Sequence, residues 1–407
     1  MHFFESPVPH SPAFDALREA MRLDEATQVR RLLAEAEQDS AARARIRQRA
    51  HGLVETVRLR RRDGSGIDAL MHEYQLSMPE GIVLMCLAEA LLRIPDEDTA
   101  DSLIRDKLLQ EDWRKHLGQS ESLFVNASTF GLMLAGRVMR ADEALDGGGH
   151  RILGSLLQRS SEPVIRAMLK HAMRILGSQF VMGRSIEEAL KRAHDDEAKG
   201  FLHSYDMLGE AARTQADAER YQQAYLHAIA TIGSAAKGGP LRAPGISIKL
   251  SALHPRYEFA QGERVMKELY PRLLQLAEAA RDADIGLTID AEESERLELS
   301  LMLLHELMRS DGLRNWPGLG LAVQAYQKRA FDLIAWLGEQ AATQHRRLML
   351  RLVKGAYWDS EIKRAQERGL DAYPVFTRKA ASDVSYLACA KRLLAQPQYF
   401  YPQFATH

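Results

Sequence analysis

Apolar positions recur every three or four residues from Ser11 to about Arg192, and from Phe201 the rhythm changes to short alternating runs separated by amphipathic stretches. The first pattern predicts helices over Ala13 to Glu37 and Ala41 to Arg62, rich in Ala, Leu, Glu and Arg, which read as two long exposed arms. Asp63-Gly64-Ser65-Gly66 ends the second by turn chemistry. Ser77 and Pro79 then start an apolar helix over Gly81 to Arg93, followed by helices over Asp98 to Gln110, Glu121 to Arg140, Arg151 to Gln158, Glu162 to Gly177 and Ile186 to Ala193.

The second pattern predicts six strands: Phe201 to Leu208, Gly245 to Ala252, Ile285 to Ala291, Leu319 to Ala325, Leu348 to Val353 and Tyr399 to Thr406. Helices over Ala216 to Ile232, Gly262 to Ala283, Ser294 to Arg309, Ala330 to Gln344 and Thr377 to Leu394 lie between them. Such alternation means a parallel sheet covered by helices. The expected fold class is α/β: an N-terminal helical arm and linker region, then a (β/α)8-type barrel truncated after about six strands, with an open doubly wound sheet as the alternative. The expected domains are 1–65, a helical arm for oligomerisation; 66–198, a helical linker; and 199–407, the barrel.

Composition narrows the function. The 407 residues are 46% hydrophobic and 27% charged, ordinary globular values, and Lys+Arg 54 against Asp+Glu 55 leaves no basic excess, so no nucleic-acid partner is expected. The basic run Arg58, Arg60, Arg61, Arg62 reads as a solvated helix end. Cys86 and Cys389 are too few for a disulfide framework or a metal set and read as small buried hydrophobes in a reducing compartment. With no apolar leader and no run near about 18 uncharged apolar residues, a cytoplasmic location is expected.

The candidate chemistry sits at the strands' carboxyl ends, where ligands bind in such folds. In LMLRLVKGAYWD, Leu348, Leu350 and Leu352 alternate with Met349, Arg351 and Val353, and Lys354 to Trp358 break the pattern as the chain leaves the strand. Gly355 and Ala356 allow close backbone approach, Arg351 offers forked donors, and Tyr357 and Trp358 offer flat surfaces; a structural ion pair and a glycine turn remain the plainer reading. Lys249, Asp290, Gln324 and Arg351 stand at matching places on four successive strands, and buried polar groups at one depth face each other or a ligand. Singly, Lys249 pairs with Asp290 or binds a ligand, and Gln324 satisfies backbone groups or lines a site. No zinc spacing, no G-x-S-x-G elbow and no G-x-G-x-x-G after a strand is found.

The runs SYDMLGE from Ser204, GISIKLSALHPRYE from Gly245, TIDAEE from Thr288, VQAYQKR from Val323, RLVKGAYWD from Arg351, EIKRAQERGLDAYPVFTRK from Glu361 and PQFATH from Pro402 resemble, in order, the proline dehydrogenase part of the bacterial proline utilization A family. The resemblance spans roughly Gly66 to His407. It implies a distorted (β/α)8 barrel that binds FAD and oxidises L-proline to Δ1-pyrroline-5-carboxylate, with hydride passing to flavin N5 and electrons leaving to a membrane quinone. By the same resemblance Arg351 sits against the flavin near N5, Gln324, Val353, Gly355, Ala356, Tyr357 and Trp358 line the cofactor, and Thr377, Arg378 and Lys379 reach its phosphate or adenosine half. Thr406 and His407 match another flavin-contacting pair, Lys249 pairs with the substrate carboxylate, and Asp290 and Tyr357 shape the pocket. Asp206, Met207 and Glu210 match a loop closing over the site, although Asp206 also reads as a helix cap.

The long N-terminal helices suggest an arm that embraces a partner subunit, hence a homo-oligomer, and the resemblance further implies peripheral membrane association when reduced and a partner aldehyde dehydrogenase domain, absent from this sequence. The family's Tyr-x-x-Arg-Arg-x-x-Glu helix, whose arginines grip the proline carboxylate, is also not found. The alternative expectation is therefore a non-catalytic fragment of the bifunctional protein.

Overall fold

The computed structural model describes residues 11–60 and 181–405, together with Val8 and without Leu208 and Glu210. The helices expected between Gly81 and Gly177, and with them Cys86, lie outside the described residues. Two compact units divide the chain: Met1–Gln38 with Ala193–His407, and Asp39–Arg192. Of the second, α3 (Ser40–Arg60) is a continuous helix with no buried residue.

The first unit is built on six parallel strands: β1 (Ser204–Asp206), β2 (Gly245–Ile248), β3 (Leu287–Ile289), β4 (Leu319–Gln324), β5 (Leu348–Val353) and β6 (Phe400–Phe404). They pair in chain order, each with the next, without the reversal that defines a doubly wound sheet. Arg351 on β5 donates to Ser204 on β1 at 2.7 Å. In a flat sheet, four intervals of about 4.8 Å would hold those strands roughly 19 Å apart. The sheet therefore curls as a barrel wall does, and the architecture is a helical N-terminal region followed by a half-barrel of the (β/α)8 kind.

α4 (Ile186–Glu197) spans the boundary between the two units in sequence, and the helices that follow the strands are α5 (Gln215–Ala235), the short α6 (Leu250–Leu253), α7 (Gly262–Asp282), α8 (Leu297–Arg309), α9 (Ala330–Thr343), α10 (Trp358–Glu367) and α11 (Lys379–Leu394). β3 and β4 are buried throughout, and α8 and α9 bury Leu301, Leu304, Phe331 and Trp336, so the apolar core lies between these elements. β5 has the expected limits. β2 is shorter than expected, because the chain turns into α6 directly after Lys249.

The expected arm over Ala13 to Glu37 is corrected. It breaks at residues 20–24 into α1 (Pro12–Glu19), capped by the Ser11 side chain, and α2 (Glu25–Ala36), capped by Asp24. Both dock on the barrel's helices rather than projecting. Phe14, Leu17 and Leu32 are buried, Phe14 meets Trp336 at 5.5 Å between ring centroids, Arg18 pairs with Glu298 at 2.8 Å, and Arg31 pairs with Asp332. The few apolar residues of this polar stretch are the ones buried, and the ion pairs of Arg18 and Arg31 add to their seating. Cys389 is buried as expected, and burial pushes its thiol up to about 12.

Candidate active site

Alternation along each strand sends every second side chain to the same side. On β1, Ser204 and Asp206 flank the buried Tyr205; after β2, Lys249 follows Ser247 by two; Asp290 follows β3, and Arg351 and Gln403 are paired residues of β5 and β6. These side chains meet. The Arg351 guanidinium donates through Nη1 to Ser247 Oγ at 2.7 Å and Asp290 Oδ1 at 3.4 Å, through Nη2 to Ser204 Oγ at 2.7 Å, and through Nε to Gln403 Oε1 at 3.4 Å. Lys249 Nζ donates to both Asp206 oxygens at 2.7 and 2.8 Å and to Asp290 Oδ2 at 3.3 Å.

Asp290 is thus shared by both cations and lies at the centre of the set. Burial raises its carboxyl above the usual range, and Asp206 adds to that, while Lys249 and Arg351 act in the opposite direction. Lys249 is held from behind as well, its backbone N–H donating to the Tyr225 hydroxyl at 3.1 Å. Asp206 is the outer partner, its side chain 43% exposed against 17% for Asp290, and it is bound to Lys249 rather than capping a helix. The cap of α5 is supplied by Thr214 and Asp217 instead. Two cations and two carboxylates balance, with the more exposed carboxylate facing outward.

Of the two readings of Gln324, its hydrogen bonds are those of the backbone-satisfying one. Its Nε2 donates to the Glu292 carbonyl at 2.8 Å and its Oε1 accepts from Ala356 N–H at 3.1 Å, so its amide ties the loops after β3 and β5 together. Gly355 takes φ of 144°, and a Cβ there would lie 2.4 Å from the Tyr326 ring, so packing against Tyr326 demands glycine. Tyr357 is half-buried and its N–H donates to the Tyr326 hydroxyl at 3.3 Å. Val353 is half-buried and Ala356 exposed, while Trp358 presents a partly exposed ring whose Nε1 donates to the Phe376 carbonyl at 2.9 Å.

Beyond this loop, Arg378 stands at the start of α11 and is exposed, and Thr377 donates to Glu25 of α2. Lys354 and Lys379 share the Asp383 carboxylate at 2.6 and 2.7 Å, which holds that carboxyl below its usual range. Lys354, Arg378 and Lys379 against Asp383 and Glu25 leave one positive charge in excess here. Met207 is half-buried directly after β1, whereas Glu210, Thr406 and His407 lie outside the described residues.

The sequence reading missed Ser204, Ser247 and Gln403, the neutral partners of Arg351. Ser247 alternates with Lys249, so the period that singled out the lysine also marks the serine. Among the described residues no cluster of metal-ligating side chains exists, and no helix is long and apolar enough to cross a membrane.

Residues 189–407 match the family described as "Proline dehydrogenase", residues 66–180 that described as "DNA-binding domain of Proline dehydrogenase", and residues 11–58 the "Proline utilization A proline dehydrogenase N-terminal domain". The bifunctional protein PutA of Salmonella typhimurium is 51% identical over 412 residues, covering 100% of this chain and 31% of that protein. Proline dehydrogenase 1 of Bacillus subtilis is 26% identical over 247 residues, covering 58% of this chain and 74% of the relative. A crystal structure of bifunctional proline utilization A superposes with a TM-score of 0.69 at 44% identity, covering 99% of this chain and 40% of that one. The chain spans about a third of the length of the PutA relatives. With a family match over more than half its residues, centred on the strands that carry Lys249, Asp290 and Arg351, the chain belongs to the proline dehydrogenase family.

Proposed function

We propose that the chain oxidises L-proline to Δ1-pyrroline-5-carboxylate with FAD as cofactor. The observation that carries this reading is the convergence of Arg351 and Lys249 on Asp290 at the mouth of the half-barrel. The donor set fits a flavin. A permanent cation, Arg351, serves an electron-rich ring system, and the excess of Lys354, Arg378 and Lys379 over Asp383 and Glu25 serves a diphosphate. Val353, Gly355, Ala356, Tyr357 and Trp358 line the path between them, and Gln324 fixes that loop through Ala356. Thr406 and His407 complete the cofactor contacts in this reading, and Met207 closes the substrate side.

Held there, FAD would supply the hydride acceptor, its N5. Arg351, braced by Ser204, Ser247 and Asp290, keeps its charge in a fixed place, which is what favours a developing negative charge without reorganisation. Lys249 receives the proline carboxylate by exchanging its outer partner, Asp206, for the substrate, while Asp290 stays behind to orient the ammonium. Tyr357 limits the pocket on the side of β5. We extend the proposal to a quinone at the membrane surface as electron acceptor, as the family resemblance implies. It extends also to a homo-oligomer, and to an aldehyde dehydrogenase partner domain, which the family resemblance implies and relatives named bifunctional accommodate.

Reconstituting the protein with FAD and adding L-proline without oxygen tests the reading. Bleaching of the visible flavin band is the expected result; a protein that takes up no flavin, or whose flavin proline does not bleach, overturns it. A second reading, DNA binding through residues 66–180, is favoured only by the description of the family matched there. The near-neutral charge balance speaks against it. Titration of labelled duplex DNA decides the matter: our reading predicts no salt-dependent binding, and a salt-dependent isotherm would establish the second.

A further inference from the structure

The N-terminal helix pair does more than cover apolar surface. Three segments far apart in sequence are tied together at one corner: α2 with the residue before its cap, the loop 326–329 after β4, and the loop 374–377 before α11. Gln28, fully buried, donates to the Lys328 carbonyl at 2.6 Å, and Lys328 Nζ donates back to the Leu23 carbonyl at 2.9 Å. The two loops join through Lys328 N–H to the Pro374 carbonyl at 3.0 Å and Phe376 N–H to the Tyr326 carbonyl at 2.8 Å. Glu25 then closes the corner. Its carboxylate accepts from Thr377 N–H at 3.2 and 3.0 Å and from Thr377 Oγ1 at 2.9 Å.

Thr377 directly precedes Arg378 and Lys379, the cations assigned above to the phosphate half of the cofactor. Thr377 is exposed between the buried Phe376 and the first turn of α11, whose Ala381 amide donates to the Arg378 carbonyl, and at Thr377 itself the Glu25 carboxylate holds both the amide and the hydroxyl. A charge-assisted contact to both the amide and the hydroxyl of one residue fixes its orientation as well as its position. The same tie keeps Tyr326 in line, through Phe376, under Gly355.

We propose that Glu25 is a positioning residue for cofactor binding: from the N-terminal helix it sets the loop 374–379 so that Arg378 and Lys379 are preorganised for a diphosphate. The inference rests on the flavin reading above. It assigns the N-terminal segment a part in the cofactor site, where sequence suggested an arm for subunit contact.

Two measurements on the full chain test it. Hydrogen exchange of the flavin-free protein should show the Thr377 amide protected in the wild type and exchanging faster in Glu25→Ala. In flavin titrations Glu25→Ala should weaken FAD binding about tenfold, the size of one charge-assisted hydrogen bond, with kcat at saturating FAD unchanged. Glu25→Gln, which keeps an acceptor oxygen, should recover part of the loss. Arg31→Ala loosens the same helix at Asp332 without touching Thr377 and should lower Tm while leaving FAD affinity within about twofold of the wild type. Wild-type FAD affinity in Glu25→Ala, or an equal loss in Arg31→Ala, overturns the proposal. Should the wild type bind no flavin, the proposed function fails, and unchanged exchange at Thr377 would separately refute the tie.

Discussion

Two neighbouring regions of the half-barrel carry the most recognisable sequence runs, and they are held together by different means. At the mouth, Ser204, Asp206, Ser247, Lys249, Asp290 and Arg351 meet side chain to side chain, with charges that balance only as a set. In the weave behind it, Gln324, Tyr326, Gly355, Trp358 and Phe376 are linked largely through backbone groups. Side chains that meet across strands are free to exchange partners with a ligand. Groups committed to backbone fix loop shape instead. A run such as RLVKGAYWD therefore mixes two kinds of residue: Arg351 belongs to the chemistry, and Gly355 to the frame that holds it.

Substitutions should divide along that line. The largest effect is expected at Arg351. Arg351→Met should lower kcat/KM for proline about a thousandfold, the scale of losing one preorganised charge contact in the transition state, with Tm moving only a few degrees. A Tm collapse with little kinetic change would erase the distinction. Gly355→Ala should do the reverse, costing roughly 3 kcal/mol of stability through the Tyr326 clash and the strained φ, as read by denaturant unfolding. Gln324→Ala should cost about 2 kcal/mol, since it strands a buried carbonyl and the Ala356 amide, and should leave the proline affinity of the folded fraction unchanged.

The smallest effect is one of pH. Burial raises the Asp290 carboxyl, so between its ordinary value and its folded value the native state binds more protons than the unfolded chain, and stability falls as pH rises through that window. Measured against Asp290→Asn, the wild type should lose relative stability on going from acid toward neutral pH and then level off. A difference that grows with pH would mean that Lys249 and Arg351 outweigh burial, and that the four charges act as a structural ion-pair network.

Sequence alone revealed more of the mouth than of the weave, for physical reasons. Strand period is local, so LMLRLV located β5 and GISIK placed Lys249 on a common face with Ser247. The same period put Gln324 in line with Arg351, but the side chain turns to the Glu292 carbonyl, a partner that no periodicity encodes. Docking of α1 and α2 was illegible because their composition is that of a solvated helix, in which Phe14, Leu17 and Leu32 are the few large apolar residues buried. Glu25 and Thr377 are 352 positions apart, and nothing local in either stretch marks them as partners.

The account depends most on Lys249 being an exchangeable cation rather than a fixed strut between Asp206 and Asp290. The direct measurement is an anaerobic proline titration of FAD-reconstituted Lys249→Met, followed by flavin bleaching, with flavin affinity determined on the same preparation. We expect proline affinity to fall about a hundredfold while FAD binds as in the wild type. Proline affinity equal to the wild type, in a protein that still holds its flavin, would contradict the account.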